Sequence, residues 1–267
     1  MPAPTDDAHA YWTALGDGRY RPTELASGAW QPGEIHFAPV AGLLTHAIER
    51  HRAAHGAPGL QLSRIAFDIL GFLALAETSV RAETRRPGRT IELVEATASI
   101  AGRDAAVARA WYSVESDTSE AAGGAAAPLP SPDGARPTAF HEAWGGGFVR
   151  SLEVRQTGAA VPGRGSVWVR TPHDLIEGEP ASGLARWIGL VDVANGVAVR
   201  ATPDAWMFPN LDLTIHLLRQ PEHGWLGLDT TVAFGASGHG ITGAELHDER
   251  GHVGRAMQTL TVRRSPR

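Results

Sequence analysis

The sequence predicts an α+β chain made of two tandem copies of one unit, each a long helix wrapped by an antiparallel β-sheet. A single offset of 146 residues lays the second half on the first without gaps. Each half opens with a helical apolar pattern and continues as alternating strands, and a low-complexity stretch lies between them. The chain has 267 residues, 43% of them hydrophobic and 20% charged, which suffices for two ordinary cores.

At the 146-residue offset, Arg64-Ile65-Ala66-Phe67-Asp68-Ile69-Leu70 falls on Asn210-Leu211-Asp212-Leu213-Thr214-Ile215-His216. Ser79-Val80-Arg81-Ala82-Glu83-Thr84 falls on Trp225-Leu226-Gly227-Leu228-Asp229-Thr230. Val107-Ala108-Arg109-Ala110 meets Val253-Gly254-Arg255-Ala256, and Ala41-Gly42-Leu43-Leu44 meets Trp187-Ile188-Gly189-Leu190. Apolar patterning alone can align one block; four blocks at one constant offset read as a duplication.

The first helix is expected over 40–54, with Leu43, Leu44, Ala47 and Ile48 on one face and Gly56 and Pro58 as its stop. Strands follow where Ile65, Phe67 and Ile69 alternate with polar neighbours, then over 80–86, 90–100 and 104–114. Residues 116–137 are rich in Ala, Gly, Pro and Ser and lack a periodic apolar face. They are expected to form a flexible linker between repeats 1–115 and 138–267. Trp144, beside Gly145-Gly146-Gly147, is expected to open the second repeat as a strand. The second helix spans 182–193, with Ser182 as N-cap and Asn195-Gly196 beyond its end. Leu211, Leu213, Ile215 and Leu217 then alternate, followed by strands over 225–234, 241–247 and 252–262. A curled sheet can cover each helix, and two such units pairing edge to edge remove two exposed edges.

Composition excludes several kinds of chemistry. Without cysteine there is no disulfide, thiolate metal site or cysteine nucleophile. All 24 cationic side chains are Arg, which rules out lysine Schiff bases and P-loops, and a net charge of −5 gives no basic face for nucleic acid. The start MPAPTDDAHA is acidic where an export signal is basic and then apolar, so no export signal is expected. The most apolar stretch, 65–76, carries Asp68 and falls short of the roughly 18 residues a membrane span needs. A soluble, cytoplasmic protein without membrane or nucleic-acid partners is expected. Gly238-His239-Gly240-Ile241-Thr242-Gly243 spells GxGxxG but sits between strands with no helix after it, so no dinucleotide is expected. The twelve histidines are read as scattered surface or satisfied side chains, and neither metal nor cofactor is expected.

The stretch Trp206-Met207-Phe208-Pro209-Asn210-Leu211-Asp212-Leu213-Thr214-Ile215-His216-Leu217, with Arg219, Pro221 and Trp225-Leu226, resembles the type II (TesB-like) acyl-CoA thioesterases. Ile188-Gly189-Leu190-Val191-Asp192 resembles that family's second helix, and Gly254-Arg255-Ala256-Met257-Gln258-Thr259-Leu260 its last strand. The resemblance implies a double-hotdog fold, hydrolysis of acyl-CoA thioesters in fatty acid metabolism, and possible association into homo-oligomers. It also implies a catalytic Asp–hydroxyl–Gln trio, which lands on Asp192, Asn210 and Gln258. Two positions depart from the family: Asn210 replaces a hydroxyl residue, and Phe37-Ala38-Pro39-Val40 stands where the first helix usually opens with Gly-Gly.

Asp192 lies on a helix otherwise built of Ile188, Leu190, Val191 and Val193, where burial raises a carboxylate's pKa and suits it as a base for water. Gln258 could hold the same water, and Asn210 could orient the pair or donate to the carbonyl oxygen. Backbone N–H groups of the first helix near Val40, Ala41 and Gly42 are expected to bind that oxygen. Asp212 and His216, four apart on one strand, are expected as a supporting pair or pocket wall. Arg81, Arg85, Arg86 and Arg89 could meet coenzyme A phosphates or form a solvated face. At the 146-residue offset Asp192, Asn210 and Gln258 map onto His46, Arg64 and Tyr112, so only one competent site is expected. Two alternatives stay open. One is an enoyl-thioester hydratase or dehydratase, which wants a His–carboxylate pair where the helix offers no histidine adjacent to Asp192. The other is a non-catalytic acyl-ligand binder.

Overall fold

The 146-residue offset returns in three dimensions as a mirrored order of strands. The protein is described by a computed structural model covering residues 8–266. Residues 1–7, which hold most of the acidic start that argues against an export signal, lie outside the described residues.

The first repeat contains β1 (Ala10–Gly16), β2 (Arg19–Pro22), α1 (Phe37–His55), β3 (Leu60–Ile69), β4 (Thr78–Arg86), β5 (Ile91–Ile100) and β6 (Arg103–Val114). The second begins with β7 (Arg136–Pro137), α2 (Phe140–Ala143), α3 (Gly147–Arg150), β8 (Glu153–Gln156), β9 (Arg164–Arg170), β10 (Asp174–Glu177), α4 (Gly183–Val191) and α5 (Ala194–Val197). It ends with β11 (Trp206–Met207), β12 (Asp212–Leu217), β13 (Leu226–Phe234), β14 (His239–Asp248), β15 (Gly251–Thr261) and β16 (Arg263–Arg264).

One 14-stranded sheet runs β10-β1-β2-β4-β5-β6-β3-β12-β15-β14-β13-β9-β8-β7. At its centre β3 and β12 pair antiparallel, with Ile65 opposite Ile215 and Asp68 opposite Asp212. Outward from that seam the strands correspond in pairs under the offset: β6 with β15, β5 with β14, β4 with β13, β2 with β9. The two repeats therefore meet edge to edge and leave no free edge at the seam.

The helices lie against this sheet and against each other. Helix α1 packs on β4, β5 and β6, while α4 and α5 pack on β13, and α1 meets α4 directly. Their crossing depends on two glycines. A Cβ on Gly42 would stand 2.9 Å from Leu175 Cδ1, 3.2 Å from Ala185 O and 3.3 Å from Gly189 Cα. The backbones approach as closely as they do because neither position carries a side chain. Across the sheet, β15 alternates as its sequence demands: Ala256, Gln258 and Leu260 point inward, Arg255, Met257 and Thr259 outward.

Three local expectations are adjusted. The segment around Trp144 forms the short helices α2 and α3 rather than a strand, with Gly146 at φ 92° between them. The second helix ends at Val191, and Asp192 caps it with helical backbone angles before α5 begins. Residues 116–137 contain two short 3₁₀ turns, and Pro130 O and Pro132 O accept hydrogen bonds from Trp168 and Arg155. No helix among the described residues is long and apolar enough to cross a membrane. The GxGxxG stretch is the β13–β14 hairpin, with no helix following it.

Candidate active site

Three elements from the second repeat and one from the first converge on Asp192. Helix α4 starts where Ser182 Oγ accepts Ala185 N–H at 3.0 Å, and its apolar residues press it into the core until Asp192 caps the far end. Strand β15 turns Gln258 inward beneath it. Asn210 precedes β12 and is held by a backbone bridge to Leu260. The result is a carboxylate pinned on one side: Asn210 Nδ2 and Gln258 Nε2 each donate to Asp192 Oδ1 at 2.8 Å. The sequence-derived trio is thus assembled, although Gln258 stands behind the carboxylate rather than in the cavity wall. Gln258 Oε1 is buried and meets no protein donor among the described residues.

The fourth group is His36, from the first repeat. It precedes α1, and its Nδ1 accepts the Ala38 N–H at 3.1 Å. The same Nδ1 lies 3.5 Å from Asp192 Oδ2. Burial pushes the imidazole pKa down to about 4, so this approach is not an ion pair at neutral pH. Burial also pushes Asp192 up to about 6, while the two amide donors hold it from rising further. His36 was not among the residues singled out from sequence. The 146-residue offset maps His36 onto the other helix cap, Ser182, which marks a cap and not a place beside Asp192.

Asp192, Asn210 and His36 line a narrow cavity with Trp30, Trp144 and Asn195. Its space is about 40 Å³, enough for water but not for an acyl chain. Trp30, Trp144 and Phe208 stack edge to face around it, with ring centroids 5.0 to 5.8 Å apart. A second cavity of about 220 Å³ shares Phe140, Trp144 and Gly196 with the first and is otherwise lined mostly by Ala, Gly, Val and Pro.

Other expected residues lie elsewhere. Val40, Ala41 and Gly42 are buried inside α1, which starts at Phe37, so their amides lie beyond its first turn. Asp212 accepts the Thr259 N–H at 2.6 Å and ties β12 to β15 on the face away from the helices. Arg81 pairs with Asp104, Arg85 with Glu83 and Glu95, and Arg86 binds Ile91 O. At the mate of Asp192 in the first repeat, His46 Nε2 lies 3.0 Å from Glu179, and Arg52 covers the Tyr112 ring at 3.8 Å. Among the described residues no three His, Asp or Glu side chains are grouped to hold a metal.

The acyl-CoA thioesterase C-terminal domain matches residues 132–262, and the N-terminal domain of the same family matches residues 26–113. No curated protein matches the chain by sequence. Among solved structures, a hot dog fold protein of unknown function from Alicyclobacillus acidocaldarius is 14% identical with a TM-score of 0.75, over 97% of this chain and 98% of that one. Acyl-CoA thioesterase II TesB2 from Mycobacterium marinum is 16% identical with a TM-score of 0.63, over 95% and 96%. The tesB protein of Mycobacterium avium subs paratuberculosis is 15% identical with a TM-score of 0.64, over 96% of each chain. With both halves matched in order and the fold shared along its whole length, the chain belongs to the acyl-CoA thioesterase family and is a double-hotdog thioesterase enzyme.

Proposed function

We propose that the protein hydrolyses acyl-CoA thioesters with Asp192 as general base. One observation carries the reading: Oδ1 of Asp192 is saturated by two amide donors, which leaves Oδ2 as the basic oxygen at a cavity that accepts water. The water oxygen bonds to the thioester carbon while its proton passes to Oδ2. The tetrahedral intermediate collapses, the C–S bond breaks, and the coenzyme A thiolate takes the proton from Asp192. The products are a free acid and coenzyme A. Asn210 and Gln258 act as positioning residues that fix the carboxylate plane.

Asn210 replaces a hydroxyl yet still serves, because this position has to donate to the carboxylate and an amide N–H does so. The test is thiol release from a panel of acyl-CoA substrates. Asp192→Asn abolishes it, and Gln258→Ala lowers it. The hydratase alternative gains one fact, since His36 supplies the histidine near Asp192 that the helix alone lacks. Water addition to an enoyl thioester without thiol release would favour that reaction, and binding without turnover would favour a carrier.

A further inference from the structure

Attack on the thioester carbon puts negative charge on the carbonyl oxygen, and hydrogen-bond donors must already face it. The first turn of α1 has few to offer. His36 N–H is spent on Ala26 O, Ala38 N–H on His36 Nδ1, and Pro39 has no N–H, which leaves only the Phe37 N–H. We propose that His36 is a catalytic residue: its Nε2–H donates to the thioester carbonyl oxygen and stabilises the charge that develops there. This rests on the hydrolytic reading of Asp192 and adds a residue from the first repeat to a site otherwise drawn from the second.

The geometry supports this role in three ways. Because Nδ1 accepts an amide N–H, it carries no proton, so the neutral ring must be the Nε2–H form. Nε2 binds no described protein group, yet the ring lines the same cavity as Asp192 and its side chain keeps 15% of its surface exposed. The ring is also rigidly held. It caps α1 on one side and packs on Phe148 on another, with centroids 4.5 Å apart. A donor fixed before the reaction costs nothing to orient during it.

Neutrality suits the task, since a neutral imidazole donates a hydrogen bond without surrendering a proton to the intermediate. Nδ1 takes no part in the step, because its one lone pair is held by the Ala38 N–H. The balance is unchanged, with water and thioester giving acid and thiol, and His36 neither gaining nor losing a proton.

The test compares His36→Asn with His36→Gln. Asparagine keeps an oxygen able to cap Ala38 N–H but loses the reach of Nε2–H. It is expected to lower kcat about 10²- to 10³-fold with KM changed less than about threefold, and glutamine to restore part of the loss. In an Asp192→Asn background, the ketone analogue of an acyl-CoA, with methylene replacing sulfur, reports the contact directly. Its bound carbonyl stretch should rise when His36→Asn is added. An unchanged kcat, or an unmoved carbonyl band, overturns the role of His36 even if Asp192→Asn is inactive. An active Asp192→Asn overturns the hydrolytic reading instead. Should His36→Asn fail to fold, ¹⁵N shifts of His36 in the wild-type protein decide: a protonated Nε2 with bare Nδ1 supports the role, and a protonated Nδ1 refutes it.

Discussion

Burying Asp192 should make the protein less stable when that carboxylate ionises. In the folded chain its pKa lies at about 6 instead of the ordinary 3.8, so the native state holds the proton more tightly than the unfolded chain does. A group of this kind favours folding fully below pH 3.8. The contribution drains away as pH climbs toward 6 and is gone above it. The interval corresponds to about 3 kcal/mol. Asp192→Asn removes the ionisation but keeps an oxygen to receive Asn210 and Gln258. The variant should therefore unfold several degrees above wild type at pH 8, with the gap narrowing as pH falls below 6 and closing only below pH 3.8. Thermal melts across that range check it, alongside a wild-type kcat/KM that rises with pH through an apparent pKa of about 6. Equal melting temperatures at both ends, or an Asp192→Asn protein less stable at pH 8, would refute the reasoning.

Removing either donor to Oδ1, by Asn210→Ala or Gln258→Ala, should raise the pH at which activity appears and lower the rate at pH 7 about tenfold; pH–rate profiles report both effects. Trp144→Ala should join the 40 Å³ cavity to the 220 Å³ one and shift kcat/KM toward longer acyl chains, measured over a chain-length series. Gly42→Val should destabilise by about 3 kcal/mol, seen in urea unfolding, because its side chain would force α1 off Gly189 and Ala185. Arg219→Ala leaves the buried Asp248 carboxylate without its guanidinium and should cost about 2 kcal/mol in the same assay.

The duplication was legible because it repeats side-chain pattern, which survives where individual residues have changed. Pattern located α1 and the strands from β3 to β6 and β12 to β15 to within a few residues. It missed β2, β7, β8, β10, β11 and β16, each of four residues or fewer, and β1 and β9, whose seven residues bury a continuous apolar run instead of alternating; β1 pairs in parallel with β10 across about 160 residues of chain. Around Trp144 the triple glycine suggested a hinge leading to a strand. Gly146 instead adopts a left-handed conformation that lets two short helices meet. Asp192, Asn210 and Gln258 could be named because each sits within a motif. His36 could not, since what brings it to Asp192 is the crossing of α1 and α4 at Gly42 and Gly189, a contact no local spacing encodes. The same crossing explains the amides at Val40, Ala41 and Gly42: the helix begins three residues earlier than its apolar face suggests, so its free end lies at His36 and Phe37.

A single turnover in H₂¹⁸O, with enzyme in excess over acyl-CoA, tests direct attack by a base-activated water. That mechanism places one ¹⁸O in the released acid and none in the peptide containing Asp192. Label in the Asp192 carboxylate, with unlabelled acid released, would mean that Asp192 attacks the thioester itself, and the general-base account would be contradicted.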